Sequence, residues 1–150
     1  LGISIPVVPL KGYSITLPLS ARAAAAAPPV SLTDEARKLV ISRLGDRLRC
    51  AGTAELAGYD TTINVVRCAA ILKRIEQLFP DLAGAAEVKY WAGLRPATPN
   101  NVPLIGRTRY ANLYLNTGHG TLGWTLAAGS GKALADLVCG RRPQADFRFL

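Results

Sequence analysis

The sequence contains no methionine and a single histidine, and its ten acidic residues are outnumbered by eighteen basic ones. Each shortage excludes something. Without methionine there is no initiator, and the opening Leu1-Gly-Ile resembles the tail of an earlier helix, so the chain is expected to be the C-terminal piece of a longer protein. His119 has no second histidine and no carboxylate cluster near it in the sequence, which argues against a metal site. Nothing marks a nucleophile elbow, so a Ser-His-Asp arrangement finds no support. Cys50, Cys68 and Cys139 are odd in number and form no C-x-x-C pair. They read as small buried residues of a reducing compartment, not as a disulfide framework. No apolar run approaches the roughly twenty residues of a membrane span, because Ala23 to Ala27 ends at Pro28-Pro29.

What is present is a chain of 150 residues, 49% apolar and only 19% charged, large enough to bury a core and too apolar to be disordered. The net charge of +8 raises the question of nucleic acid. Its cations are scattered, however, with no dense run beyond Arg141-Arg142, and the tyrosines and phenylalanines do not interleave with them as a stacking platform requires. No nucleic-acid partner is expected.

Taken in order, Pro6 to Leu19 reads as a strand, with Tyr13-Ser-Ile-Thr-Leu17 alternating and Lys11-Gly12 marking a bulge or a close ligand approach. Ser20 to Ser31 reads as an exposed connection. Leu39 to Leu44 and Arg47 onward flank Gly45-Asp46, a two-residue hairpin turn, and Glu55 is expected to pair with a nearby arginine. Asp60 is placed as the cap of a helix over Thr61 to Phe79 whose inner face is Ile63, Val66, Ala70, Ile71, Ile75 and Leu78, with Pro80 stopping it. That helix is assigned packing and no chemistry. A strand at Glu87 to Trp91 precedes a Pro- and Gly-rich stretch, Ala92 to Gly106, read as a rigid irregular loop around Arg95. No internal repeat or second linker appears, which predicts one compact unit.

The most informative stretch lies near the end. Leu113-Tyr-Leu-Asn-Thr117 reads as a strand, Gly118-His-Gly-Thr-Leu-Gly123 as a glycine turn, and Trp124 to Val138 as a helix closed by Gly140. Gly118, Gly120 and Gly123 match G-x-G-x-x-G. A dinucleotide fingerprint also needs a second strand ending in an acidic residue about twenty positions on. Here Asp136 is still helical and Gln144 to Leu150 is too short to complete the unit. A P-loop fails too, because Leu126 stands where its first glycine should be and Ala133 where Ser or Thr should follow Lys132. The turn can therefore be either a packing device or a cofactor contact at a helix N-terminus, where free N–H groups and the dipole favour electron-rich oxygens. Arg95, held in a Gly93-Leu-Arg-Pro96 corner, can either grip a carboxylate through its planar fork or stack on Trp91 or Tyr90 or pair with Glu87.

Four motifs in this order carry a resemblance: Pro9-Leu-Lys-Gly-Tyr-Ser14, Arg43-Leu-Gly-Asp-Arg-Leu-Arg49 with Gly52-Thr-Ala-Glu55, Trp91-Ala-Gly-Leu-Arg-Pro-Ala-Thr-Pro99, and Asn116-Thr-Gly-His-Gly-Thr-Leu-Gly-Trp-Thr125. Over essentially its whole length the chain resembles the C-terminal part of bacterial FAD-dependent D-amino-acid dehydrogenases of the small-subunit type, within the D-amino-acid oxidase superfamily. The resemblance implies an α+β fold: a mixed or antiparallel substrate-domain sheet with packing helices over 1–112, then a strand-turn-helix over 113–150 that returns to a Rossmann-like FAD domain. The entire N-terminal half that the resemblance implies, including the main FAD-binding motif, is absent from the chain, so the piece alone is expected to be inactive and can lack FAD. Arg95 matches the arginine that grips the substrate carboxylate, and Lys11 and Tyr13 lie on the strand near the substrate side. Gly118, His119, Gly120, Thr121, Leu122 and Gly123 match the turn that meets the pyrimidine edge of the flavin. The implied reaction is oxidative deamination of a D-amino acid to a 2-oxo acid and ammonia by hydride transfer to flavin. A glycine or amine oxidase of the same superfamily and a flavin-free interaction module are the alternatives. The implied location is cytoplasmic or peripheral at the inner membrane face. The implied partners are a D-amino acid, the missing half and, through exposed apolar surface, a second copy of the chain.

Overall fold

In the computed structural model, strand β1 (Val8–Pro18) is buried without a break from Lys11 to Ile15 and again at Leu17, and its alternate residues Tyr13, Ile15 and Leu17 belong to the apolar core. The structure describes residues 1–84 and 87–145. They divide into two compact units, Lys11–Leu94 and a second that joins Leu1–Leu10 to Arg95–Leu150. The expected single unit is thereby corrected. The boundaries fall inside β1 and β5 (Lys89–Ala97), so two continuous strands pass from one unit to the other.

The Lys11–Leu94 unit is built on a sheet of order β2-β3-β4-β1-β5. Strand β2 (Leu32–Asp34) pairs with β3 (Leu39–Leu44), and β3 forms the expected antiparallel hairpin with β4 (Arg47–Glu55), Leu44 opposite Arg47. Helix α2 (Val65–Leu78) adds Cys68, Ile71 and Ile75 to the Tyr13, Ile15, Leu17, Leu39, Ile41, Leu48 and Cys50 of the sheet. Its buried stripe is thus Cys68, Ile71, Ile75; Val66 is 78% exposed and belongs to the outer face. The helix also starts later than expected. Asn64, not Asp60, is the cap, its side-chain oxygen accepting from the N–H groups of Val66 and Arg67.

Two further expectations change here. The alanine-rich connection contains a short helix, α1 (Ala21–Ala26), started by the Ser20 hydroxyl accepting from Ala23 N–H, and it buries Ala23 and Ala27 in the core. Small side chains are what allow a helix to lie that close. The bulge beside Gly12 is real, but the extra residue lies on the other strand. Gly12 faces Ala54 and Tyr13 faces Gly52, leaving Thr53 unpaired at φ 55°.

In the other unit, β6 (Leu104–Arg107) and β7 (Tyr114–Thr117) pair antiparallel, and α3 (Gly123–Val138) packs on them through Ser130, Ala133 and Asp136. The stretch read as one irregular loop is regular at both ends, since β5 runs to Ala97 and β6 begins at Leu104. The buried Asp136 carboxylate accepts from Lys132 Nζ and Arg141 Nε, both at 2.9 Å, and these cations hold it below the usual carboxylate range. Cys139 lies exposed at the end of α3, which corrects the expectation of three buried cysteines. Of the C-terminal stretch Gln144–Leu150, residues 146–150 lie outside the described residues.

Candidate functional site

The unpaired Thr53 decides what stands beside Tyr13. A strand's side chains alternate between faces, so one extra residue moves everything beyond it to the opposite face. With Thr53 inserted, Lys11 pairs with Glu55, and Glu55 comes onto the Tyr13 side of the sheet. The Tyr13 hydroxyl donates to Glu55 Oε2 at 2.5 Å, and Arg67 Nε lies 3.2 Å from the same oxygen. Arg67 also donates to Thr53 Oγ1 at 2.8 Å, tying α2 to the bulge, and its guanidinium stands 6.0 Å from the Tyr13 ring centre. Lys11, 1% exposed, donates to Asp60 Oδ2 at 3.2 Å and lies 5.5 Å from the same ring.

Protonation follows from these partners. Burial pulls the Lys11 ammonium down, but hydrogen bonds to Tyr13 and Asp60 outweigh it and leave its pKa raised. Burial, then the hydrogen bond to the Glu55 carboxylate, pushes the Tyr13 phenol up. Asp60 is lowered by the backbone and hydroxyl of Thr62 and by Lys11. At neutral pH Lys11 is therefore a cation and Tyr13 a neutral donor, and neither is poised as a base.

The glycine turn follows β7 in the other unit. Gly118 sits at φ 78° and Gly120 at φ 52°, backbone that a side-chain-bearing residue adopts only with strain. At Gly118 space forbids it as well, because a Cβ would stand 2.7 Å from Thr98 Cγ2. Around Gly120 nothing lies within 4 Å of a Cβ position, so that side of the turn is open. Gly120 N–H donates to Pro96 O at 2.8 Å, and Ala97 and His119 form an antiparallel bridge. These contacts lock the turn to the end of β5, where Arg95 stands half-buried one residue before Pro96. The helix after the turn has Leu122 at its cap position and no side-chain cap bond, and no acidic residue lies in its first turn. Its leading N–H groups and dipole are therefore uncompensated by side chains. His119 Nε2 is buried without a hydrogen-bond partner among the described residues, a costly state for a ring nitrogen.

Of the residues singled out in the sequence, Arg95 and Gly118 to Gly123 thus belong to one unit, with Arg95's strand bonded to the turn. Lys11 and Tyr13 belong to the other, inside a buried polar cluster. Glu55 has the arginine partner expected of it. Arg67, assigned packing alone, is that partner, and no local signal could find it, because the pairing depends on the bulge at Thr53. Thr98 and Pro96 were also missed. Among the described residues no group of three or more His, Cys, Asp and Glu gathers as a metal site, and no helix is long and apolar enough to cross a membrane.

A model of the family DAO, FAD dependent oxidoreductase, matches residues 1–137. The chain belongs to this family. The DAO chain is 60% identical over 150 residues to a D-amino acid dehydrogenase of Dechloromonas aromatica (strain RCB), covering 100% of the chain and 35% of that protein. It is 57% identical over 141 residues to one from Paramagnetospirillum magneticum (strain ATCC 700264 / AMB-1), covering 94% and 33%. The DAO chain therefore spans about a third of the length of these curated relatives, their C-terminal part. Among solved structures it superposes on iminodiacetate oxidase from Chelativorans sp. BNC1 with a TM-score of 0.87 at 27% identity, over 99% of this chain and 40% of that one. Glycine oxidase from Geobacillus kaustophilus gives 0.85 at 25% identity, over 98% and 39%. The α+β class and its antiparallel sheet agree with these neighbours.

The residues of the turn fit the family's cofactor. The unpartnered His119 Nε2, the side-chain-free N-terminus of α3 and the open side of Gly120 are what the electron-rich edge of a flavin would engage.

Proposed function

We propose that the chain is the C-terminal catalytic part of an enzyme that oxidatively deaminates D-amino acids to 2-oxo acids and ammonia. One observation carries this reading: the Gly120–Pro96 hydrogen bond and the Ala97–His119 bridge hold a cofactor-competent turn against the strand that bears Arg95. FAD, when bound, supplies the two-electron acceptor for the hydride of the substrate α-carbon. Arg95 grips the substrate carboxylate through its planar fork and so fixes which way the α-carbon faces, an orientational contribution to rate. His119, Thr121, Leu122 and those N–H groups of the Gly118 to Gly123 turn that the Pro96 and His119 carbonyls do not take would hold the flavin-ring end of the cofactor. Their dipoles would favour negative charge at that edge. Lys11 and Tyr13, on the strand that the resemblance puts near the substrate side, give their donors to Asp60 and Glu55. Lys11 and Tyr13 need not titrate, because an amine arriving neutral requires no protein base.

The rest of the FAD pocket comes from an N-terminal part of the protein outside this chain, as a chain spanning about a third of its relatives would require. The chain alone therefore holds FAD weakly or not at all. The 60% identity to a D-amino acid dehydrogenase favours D-amino acids over the glycine or iminodiacetate that name the solved neighbours at 25–27%.

The test is made on the full-length enzyme. The wild type is expected to be yellow, with absorption near about 450 nm from the flavin itself. Arg95→Ala is expected to raise KM for D-amino acids by about ten- to a hundredfold, the size of a lost charge-assisted hydrogen bond. An unchanged KM removes the carboxylate role. A substrate panel in which glycine or a secondary amine outruns every D-amino acid replaces the substrate class.

A further inference from the structure

The turn meets the end of β5 and the residue after it at three successive positions. Pro96 O accepts from Gly120 N–H, Ala97 bridges to His119, and Thr98 stands against Gly118. At the third position the contact is side chain on bare backbone. The Thr98 methyl, Cγ2, occupies the space a Cβ at Gly118 would need, 2.7 Å from its position. Val7 Cγ2 and Leu104 N follow at 3.6 Å, so Thr98 is the nearest wall.

Thr98 is in turn held from the other side. It is 5% exposed, and its hydroxyl donates to Val102 O at 2.9 Å. Its own carbonyl accepts from Asn101 N–H at 3.2 Å, and Asn100 Oδ1 accepts from Val102 N–H at 3.1 Å. Asn101 takes up the left-handed conformation at φ 58° that closes the loop. The two branches of one threonine thus do different things. The hydroxyl closes the 98–102 loop, and the methyl sets how near the glycine turn can come.

We infer that Thr98 is a positioning residue that fixes the cofactor-facing turn against the Arg95 strand, so that substrate grip and cofactor contact are set by one joint. The inference rests on the function proposed above. Its physical basis is that both groups hang on three consecutive contacts, two between backbones and a third from the Thr98 side chain, which is wedged on both branches. Valine keeps the wedge shape but leaves the Val102 carbonyl without the hydroxyl. Serine keeps the hydroxyl and loses the methyl.

The experiment uses the full-length enzyme and reads the FAD dissociation constant, the visible flavin spectrum, KM, kcat and Tm. Thr98→Ser, which removes the wedge, is expected to weaken FAD by about three- to tenfold and to raise KM with it, the size of one buried methyl lost. The flavin band should shift, because the turn's N–H groups move. Thr98→Val, which keeps the wedge and leaves the Val102 carbonyl unmet, is expected to lower Tm and to hold both constants within about twofold of wild type. A Thr98→Ser enzyme whose FAD affinity, spectrum and KM stay within about twofold overturns the inference, since the methyl then sets nothing. If Thr98→Ser does not fold, Gly118→Ala decides. Its added Cβ should weaken FAD, and a second change, Thr98→Ser, should recover at least part of the loss by removing the overlapping methyl; no recovery overturns the joint. Failure of the parent reading looks different: a colourless wild type removes both, whereas an Arg95→Ala enzyme with unchanged KM removes only the carboxylate grip.

Discussion

Tyr13 is wholly buried and still keeps its hydroxyl because Glu55 accepts from it at 2.5 Å, while Arg67 neutralises the same carboxylate. The arrangement is asymmetric. In Tyr13→Phe the hydroxyl is lost but Glu55 retains Arg67, so the expected cost is about 1 kcal/mol. In Glu55→Ala a buried phenol and a guanidinium lose their acceptor together, and about 2–3 kcal/mol is expected. Because both changes break one network, the double variant should cost less than the two added. Denaturant melts of the four proteins check this, and strict additivity would show that Tyr13 and Glu55 are not coupled. None of these partners is legible locally. Glu55 could be marked as a carboxylate in need of an arginine, but eighteen arginines and lysines were available. Thr53, the residue whose extra step chooses Arg67, has no sequence signature of its own.

At the level of elements, helix α2 shows how a correct element can carry a wrong boundary and a face only partly right. Its apolar spacing and Pro80 foretell a helix, but Asp60 and Asn64 are both good caps. Asp60 is taken by Lys11 and by the N–H and hydroxyl of Thr62, leaving Asn64 to accept from Val66 and Arg67. Replacing Asn64 by alanine is expected to cost about 1 kcal/mol, as removal of an N-cap does. The same change at Asp60 should act through Lys11 instead and leave the helical signal of α2 intact, which circular dichroism of the two variants can separate. Of the expected inner face Ile71 and Ile75 are buried, Cys68 joins them, and Ile63, Val66, Ala70 and Leu78 are exposed. Strand β5 errs in the other direction. Gly93 and Pro96 look like loop residues, yet both stand in the strand, with the Trp91 ring lying over Gly93 where any Cβ would collide with it.

At the scale of the molecule, helix α3 packs inward through Ser130, Ala133 and Asp136 and leaves large apolar side chains outside. Trp124 is 96% exposed, and Ala128, Ala135 and Val138, on its side of the helix, are exposed with it. An uncovered apolar face of this kind drives association. The chain by itself is therefore expected to self-associate with rising concentration, and Trp124→Glu to shift it towards monomer, as sedimentation equilibrium would measure.

The sequence by itself determined what depends on neighbours along the chain. The alternating apolar residues of β1, the Gly45-Asp46 hairpin, the strand-turn-helix at Gly118 to Gly123 and the family motifs all lie within short windows, where backbone geometry and period are local properties. It also settled the family, because Arg95 with its prolines and Gly118 to Gly123 with Trp124 are specific in order and kind. Only the tertiary structure decided which face Glu55 would take, which cap α2 would use, and that the Arg95 strand would bond to the glycine turn. Each of these turns on a contact between residues far apart in sequence. Thr98 stands opposite Gly118, and whether a methyl fills the space a glycine leaves is a matter of approach, which no local pattern records.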